Sequence, residues 1–319
     1  MKKVLTILGK IFLIAIISII AIVILAWGGL NIAKFPIYSE YYSIESNVCQ
    51  NPGLSDGFVC QGITVSEANE RIFVSGYMKD NSASRIYITD YNSKSYYVQL
   101  TEENGDDFKG HVGGIATTDN TVYIADDNYI YTVELSSLLN ANNGDRINIK
   151  KTVEVNNAAS FVYSDENYLY VGEFHDGGKY VTEHPYQTDD GLFHAIVSRY
   201  DINDLSAPNK IYSIRDKVQG ICFTPDGKVV LSTSYGLADT VYYIYNESEA
   251  IDSGLTLDGA PVYYLNSCTK EITGPAMGED LDYFDGKILT LTESASDKYI
   301  FGKFFFANKI VVLDINELS

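Results

Sequence analysis

Two patterns of apolar residues divide this chain. From Ile11 to Ala33 no charged residue interrupts a run of 23 positions, which Lys34 closes. At 1.5 Å per residue such a run makes about 35 Å of helix, enough to cross a hydrocarbon core of ~30 Å. Beyond it the apolar residues come in short β-rich segments, separated by Asn, Asp and Gly turns.

The flanks of the long run orient it. Lys2, Lys3 and Lys10 precede it, and Trp27 stands where an interfacial aromatic belongs. Basic residues stay cytoplasmic, so residues 1–10 form a short cytoplasmic end, 11–33 a transmembrane anchor, and 34–319 an extracytoplasmic domain. A cleaved signal peptide is the competing reading, but it would have an apolar stretch of ~7–15 residues before a small-x-small site. Leu25-Ala26-Trp27 is not such a site, and the first cysteine is residue 49, so no lipoprotein cysteine ends the run. The expectation is an uncleaved signal anchor, single-pass in the cell membrane.

The short segments repeat. Gln61-Gly62-Ile63, Gly113-Gly114-Ile115, Ala159-Ser160-Phe161, Gln219-Gly220-Ile221 and Glu279-Asp280-Leu281 recur at spacings of 52, 46, 60 and 60 residues. Each leads through turn chemistry, such as Pro225-Asp226-Gly227 or Asp285-Gly286, into a second apolar strand. Third strands follow in all five copies. Fourth strands follow in four: Tyr96–Leu100, Lys151–Val155, Lys210–Ile214 and Pro261–Asn266. Four-stranded units at periods of roughly 40–60 residues are propeller blades. The last copy lacks its outer strand, while the segment near 37–44 has no unit of its own. That segment therefore closes the ring. The predicted fold is all-β: a five-bladed β-propeller behind one N-terminal transmembrane helix, with six blades as the alternative if a long spacing hides a short blade.

Composition narrows the partners. Tyr occurs 26 times against 14 Phe and one Trp, which suits half-exposed strands. The formal charge of −19 repels nucleic acid and anionic headgroups, leaving the membrane through its helix and a protein, peptide or glycan as expected partners.

In a propeller blade the first strand starts, and the second ends, on one face near the axis. Aligning the second strands places Tyr77, Asp127, Glu173, Ser234 and Glu293 just past their ends. The starts of first strands add Gln61, Gln219 and Glu279, with His111 just before one of them. Gln61, Tyr77, Gln219 and Ser234 are the expected ligand-binding residues. Asp127, Glu173, Glu279 and Glu293 could hold a divalent metal: Ca²⁺ or Mg²⁺ on oxygen alone, Zn²⁺ or Mn²⁺ with an added histidine. Against this stands a water-filled channel that simply tolerates hydrated acids. His111 and His175, at the mouth, are the candidate bases, whereas His184 and His194 read as loop surface. Two long loops join second to third strands on this face, 175–194 with three histidines and 294–308 with Phe301, Phe304, Phe305 and Phe306.

Four cysteines in an exported chain are expected to pair. Cys49 and Cys60 flank a short loop and form the expected bridge. Cys222, on an inner strand, and Cys268, beyond an outer one, are too many strands apart to join unless the loop after 267 folds inward.

Gln219-Gly220-Ile221 followed by Thr224-Pro225-Asp226-Gly227-Lys228 and an apolar strand resembles the broad propeller superfamily of gluconolactonase, strictosidine-synthase and NHL-type proteins, over residues 60–319. The resemblance implies an axial Glu/Asn/Asp metal site in lactonase-like members. Glu279 or Glu293, Glu173 and Asp127 would stand in it, and no asparagine occupies a matching position. Three functions are open on these grounds. The first is a membrane-anchored binding or scaffold module for a peptide, glycan or protein. The second is a metal-dependent hydrolase or lactonase. The third is a glycosidase, which needs two acids ~5–5.5 Å or ~6.5–9.5 Å apart.

Overall fold

The computed structural model describes residues 2–317, with side chains from residue 6 onward. Helix α1 (Lys2–Ile37) contains a stretch, Thr6–Ile37, long and apolar enough to cross a membrane; its most apolar part is unburied, while its last turns touch the folded body. Helix α2 (Ser39–Ile44) follows, then strand β1 (Glu45–Gln50).

The remaining chain folds into five blades. The first is Phe58–Ser66, Arg71–Met78, Arg85–Thr89 and Ser95–Thr101, extended by Arg146–Asn148 in parallel. The second is Gly114–Thr117, Thr121–Asp126, Tyr129–Glu134 and Lys150–Glu154. Phe161–Ser164, Tyr168–Gly172, Ala195–Asp201 and Lys210–Ile214 make the third. Val218–Phe223, Lys228–Thr233, Thr240–Asn246 and Lys270–Gly274 make the fourth. In the fifth, Gly278–Phe284, Lys287–Thr292 and Lys309–Leu313 are completed by β1, antiparallel to Lys309–Leu313 with Glu45 opposite Leu313.

Closure by an early strand is thus as expected, but its position is not. The segment near 37–44 is helical. Its buried residues, Tyr38, Tyr41 and Ile44, recur every third position, a helical spacing that packs Tyr41 on Tyr242 with ring centroids 6.1 Å apart. The fourth strand of the fourth blade also differs. Ala260–Tyr264 runs parallel to Lys210–Ile214 and widens the third blade, as part of a hairpin with Ile251–Leu257. The two 60-residue spacings hold inserted hairpins, this one and Tyr186–Thr188 with Gly191–Phe193, and no sixth blade.

The repeated small residue explains itself at the axis. Inner strands of neighbouring blades meet there backbone to backbone. A Cβ on Gly114 would lie 2.3 Å from the amide nitrogen of Val162, and one on Gly220 would lie 2.6 Å from Cα of Asp280. The fifth blade has Asp280 at this level. Its fully buried carboxylate takes the amides of Ile63 (3.2 Å) and Leu281 (2.9 Å), tying the last blade to the first.

All four cysteines are free thiols, which corrects the expected Cys49–Cys60 bridge. Cys49 sits on the outermost strand of the last blade and Cys60 on the innermost strand of the first. The Cys60 thiol is occupied instead by Asn51 Nδ2 (3.2 Å) and the carbonyl of Thr292 (3.4 Å).

Candidate functional site

A cavity of about 810 Å³ opens on the axis at the face where inner strands start. Eight of the ten residues expected there line it: Gln61, Tyr77, His111, Asp127, Gln219, Ser234, Glu279 and Glu293. Glu173 and His175 do not, being buried just behind the wall that Phe174 presents.

The floor is a pair of acids. Glu279 opens the inner strand of the fifth blade and Glu293 follows its second strand, so the blade's own hairpin brings them together, and their side chains share a hydrogen bond. Burial, then the charge of Glu293, raises the Glu279 carboxyl well above the usual range. Burial also raises Glu293, to about 7, against the opposing hydrogen bonds of Tyr299, Gln61 and Glu279 and the charge of Lys298. Glu279 therefore carries the proton and Glu293 accepts it. Gln61 Nε2 donates to Glu293 Oε2 at 2.9 Å and to the carbonyl of Cys60 at 2.7 Å.

Aromatic and cationic groups surround this pair. The Tyr77 and Tyr299 hydroxyls lie 3.3 Å apart, and Lys298 bonds Tyr77. His111 stacks on Tyr77 with centroids 4.6 Å apart. Desolvation at the wall, then Lys298 and Lys179, lowers His111 to about 4, so it is a neutral acceptor at pH 7 even though one side of the ring meets solvent. Chemically, the site offers one proton to give, one carboxylate to receive one, amides, and ring faces for stacking.

Other expected residues have structural partners. Ser234 Oγ donates to the carbonyl of Gly278 at 2.7 Å, clamping fourth blade to fifth. Glu173 pairs with His184 at 3.0 Å and takes the amides of Ile196 (3.1 Å) and Ala158 (3.4 Å), so its oxygens are spent. His184 is thus a partner of a buried acid rather than loop surface. The four acids expected to share a metal do not assemble. Among the described residues, the one group of three or more His, Cys, Asp or Glu with ligand atoms within 4.8 Å of one another is His175, His194 and Asp216. The two rings stack at 4.6 Å, and His194 Nδ1 meets Asp216 Oδ2 at 2.9 Å. Thr182, which lines the cavity, bonds both His175 Nδ1 and the carbonyl of His194.

Strain gathers at this mouth. Val112, Ala159, Lys217 and Met277 each enter an inner strand at positive φ, from 41° to 67°. Such backbone in β-branched or bulky residues is costly and concentrates at functional sites.

The chain is therefore a five-bladed β-propeller with an acid-floored axial cavity, carried behind one long apolar helix. No protein-family model matches it, and neither does any curated protein. Solved structures similar to it include Kuenenia stuttgartiensis hydrazine synthase (10% identity, TM-score 0.40, 73% of this chain and 55% of that one), so the chain spans about half of that protein. Myxococcus xanthus glutaminyl cyclase is 8% identical with a TM-score of 0.44, over 77% of this chain and 90% of the other. The PQQ-bound aldose sugar dehydrogenase of Streptomyces coelicolor is 13% identical with a TM-score of 0.44, over 77% and 76%.

Proposed function

We propose that this protein is a membrane-anchored, extracytoplasmic binding propeller, held by α1 with its N-terminus in the cytoplasm. Its cavity takes a neutral polar ligand, the end of a glycan or of a peptide. The observation that carries the reading is the proton-sharing pair Glu279–Glu293 on the cavity floor. Two buried acids are costly to keep unless something uses them, and here they face open space lined by Gln61, Tyr77 and Tyr299. Aromatic faces with a few convergent polar groups suit a hydroxylated or amide-bearing ligand. The acids are hydrogen-bonded to each other, closer than either separation that glycoside hydrolysis uses. Kinship with gluconolactonase, strictosidine-synthase and NHL-type propellers is part of this proposal, resting on Gln219–Ile221 and Thr224–Lys228.

Calorimetric titration of the detergent-solubilised full chain with neutral oligosaccharides and short neutral peptides tests the binding reading. Saturable binding that Glu293→Gln and Tyr77→Ala each weaken by tenfold or more supports it. Failure of both ligand classes to bind the wild type sinks it.

A divalent metal is the second reading, favoured by His175, His194 and Asp216 rather than by the four axial acids. Two imidazoles beside a carboxylate suit Zn²⁺ better than Ca²⁺, and Thr182 would place such an ion next to the cavity. A rise in melting temperature with Zn²⁺, absent in His194→Ala, is its test.

A further inference from the structure

Outside α1, the large apolar side chains left exposed are concentrated on one face. Tyr180, Val181 and Leu192 belong to the long loop of the third blade, Tyr235 and Leu237 to the equivalent loop of the fourth, and Ile300 and Phe301 to that of the fifth. All three loops join second to third strands, so all lie on the cavity face. Only Ile251 and Leu255 of this class lie elsewhere among the described residues. Ile300 is 77% exposed and Phe301 67%, which is unusual for such residues in an otherwise acidic body.

The end of α1 sits among these loops. Asn31 Nδ2 reaches the carbonyls of Lys303 (3.4 Å) and Phe304 (3.3 Å), and its Oδ1 accepts from the amide of Phe306 (3.1 Å). Lys34 Nζ bonds the carbonyl of Phe306, and Tyr38 donates to Asp239 at 2.6 Å while packing on Phe305. Helix α2 then descends the outside of the ring, so that β1 starts at the opposite face, where Glu45 pairs with Leu313. The helix therefore leaves the propeller from the cavity face, with Trp27 one turn beyond Asn31.

We propose that the loops of the third, fourth and fifth blades form a rim that docks on the bilayer interface, so that the cavity opens at the membrane surface and the propeller takes its ligand there. This rests on α1 being a membrane anchor, as proposed above. The occupant is the zwitterionic interface itself. Continuity with α1 and the interfacial preference of exposed Ile, Phe and Tyr argue for it, while the acidic body argues against attraction by anionic lipid.

Trp27 is the sole tryptophan, which makes the test direct. The full chain is reconstituted in phosphatidylcholine vesicles with and without brominated phosphatidylcholine, and tryptophan emission is compared. Three proteins are measured: wild type, Trp27→Phe/Phe301→Trp, and Trp27→Phe/Phe284→Trp, whose reporter lies at the far end of an inner strand. The expected result is loss of most emission in the first two and none in the third. Quenching in the wild type but not in the Phe301→Trp protein overturns the rim and leaves the anchor standing. Quenching in the Phe284→Trp protein would also overturn it, because the propeller would then have no fixed face toward lipid. No quenching of Trp27 removes the anchor, and the rim with it.

Discussion

Protonated Glu279 donates a hydrogen bond to Glu293, which follows the second strand of the same hairpin, and Gln61 from the first blade holds Glu293 from across the ring seam. The floor of the cavity is therefore also a joint between the first and last blades.

Because burial raises Glu279 and Glu293, these acids bind more protons folded than unfolded. Their contribution to stability is fully present below the unfolded value near 4.5 and is lost as pH climbs through the raised folded values. Asp282, pushed up by burial to about 7, adds in the same direction. A tenfold difference in proton affinity between folded and unfolded chain is worth about 1.4 kcal/mol, so the loss between pH 4.5 and pH 8 should be on the order of several kcal/mol. Melting temperatures of the full chain across that range should fall, and Glu279→Gln, whose amide still donates to Glu293, should flatten the decline. A melting point that rises from pH 5 to pH 8 would contradict this.

Gly220→Ala is expected to be severely destabilising. The new methyl group would meet Asp280 backbone, which cannot move without disturbing the closure of the axis. A cost on the order of 3 kcal/mol should appear as a lower midpoint in urea unfolding. A change of a few tenths would show that the inner strands have room to separate.

His184→Ala should loosen the loop of the third blade. It strips the partner from Glu173, an acid only 2% exposed, and such a loss costs roughly 1–3 kcal/mol or more. The hydrogen bond from Glu173 also raises the His184 pKa, so this tie is strongest below the ordinary histidine value and weakens as pH passes the raised one. Limited proteolysis within 175–194 should be faster in the variant, and faster in the wild type at pH 9 than at pH 6.

The cysteines provide a simple chemical check. Unfolding without reductant in the presence of an alkylating agent should add four groups by intact mass, because each thiol is free. Two groups would mean that one disulfide exists after all.

Much of the ring was readable because its construction is periodic. The spacing of Gln61, Gly113, Ala159, Gln219 and Glu279 reports the blades, and a residue count past each second strand finds Tyr77, Asp127 and Glu293 at the cavity. Lys179, Tyr180, Lys298 and Tyr299 escaped because they reach the cavity from long loops that fold back, and no period governs them. The same count puts Glu173 at the right strand end, but nothing along the chain signals that His184 would claim it. The outer strands were the least legible. Ala260–Tyr264 and Lys270–Gly274 have comparable β character, and only packing against Lys210–Ile214 decides which blade each joins.

The pairing of β1 with Lys309–Leu313 also has a consequence for how the protein is made. β1 leaves the ribosome long before its partner, and it waits next to α1 while the other blades are synthesised. Throughout that interval its edge is a template for any passing strand. Pairing of such distant segments is slow because the whole intervening chain must first be ordered. Completion of the ring is then a late event of biogenesis, and factors that shield strand edges would act on this short segment before any other.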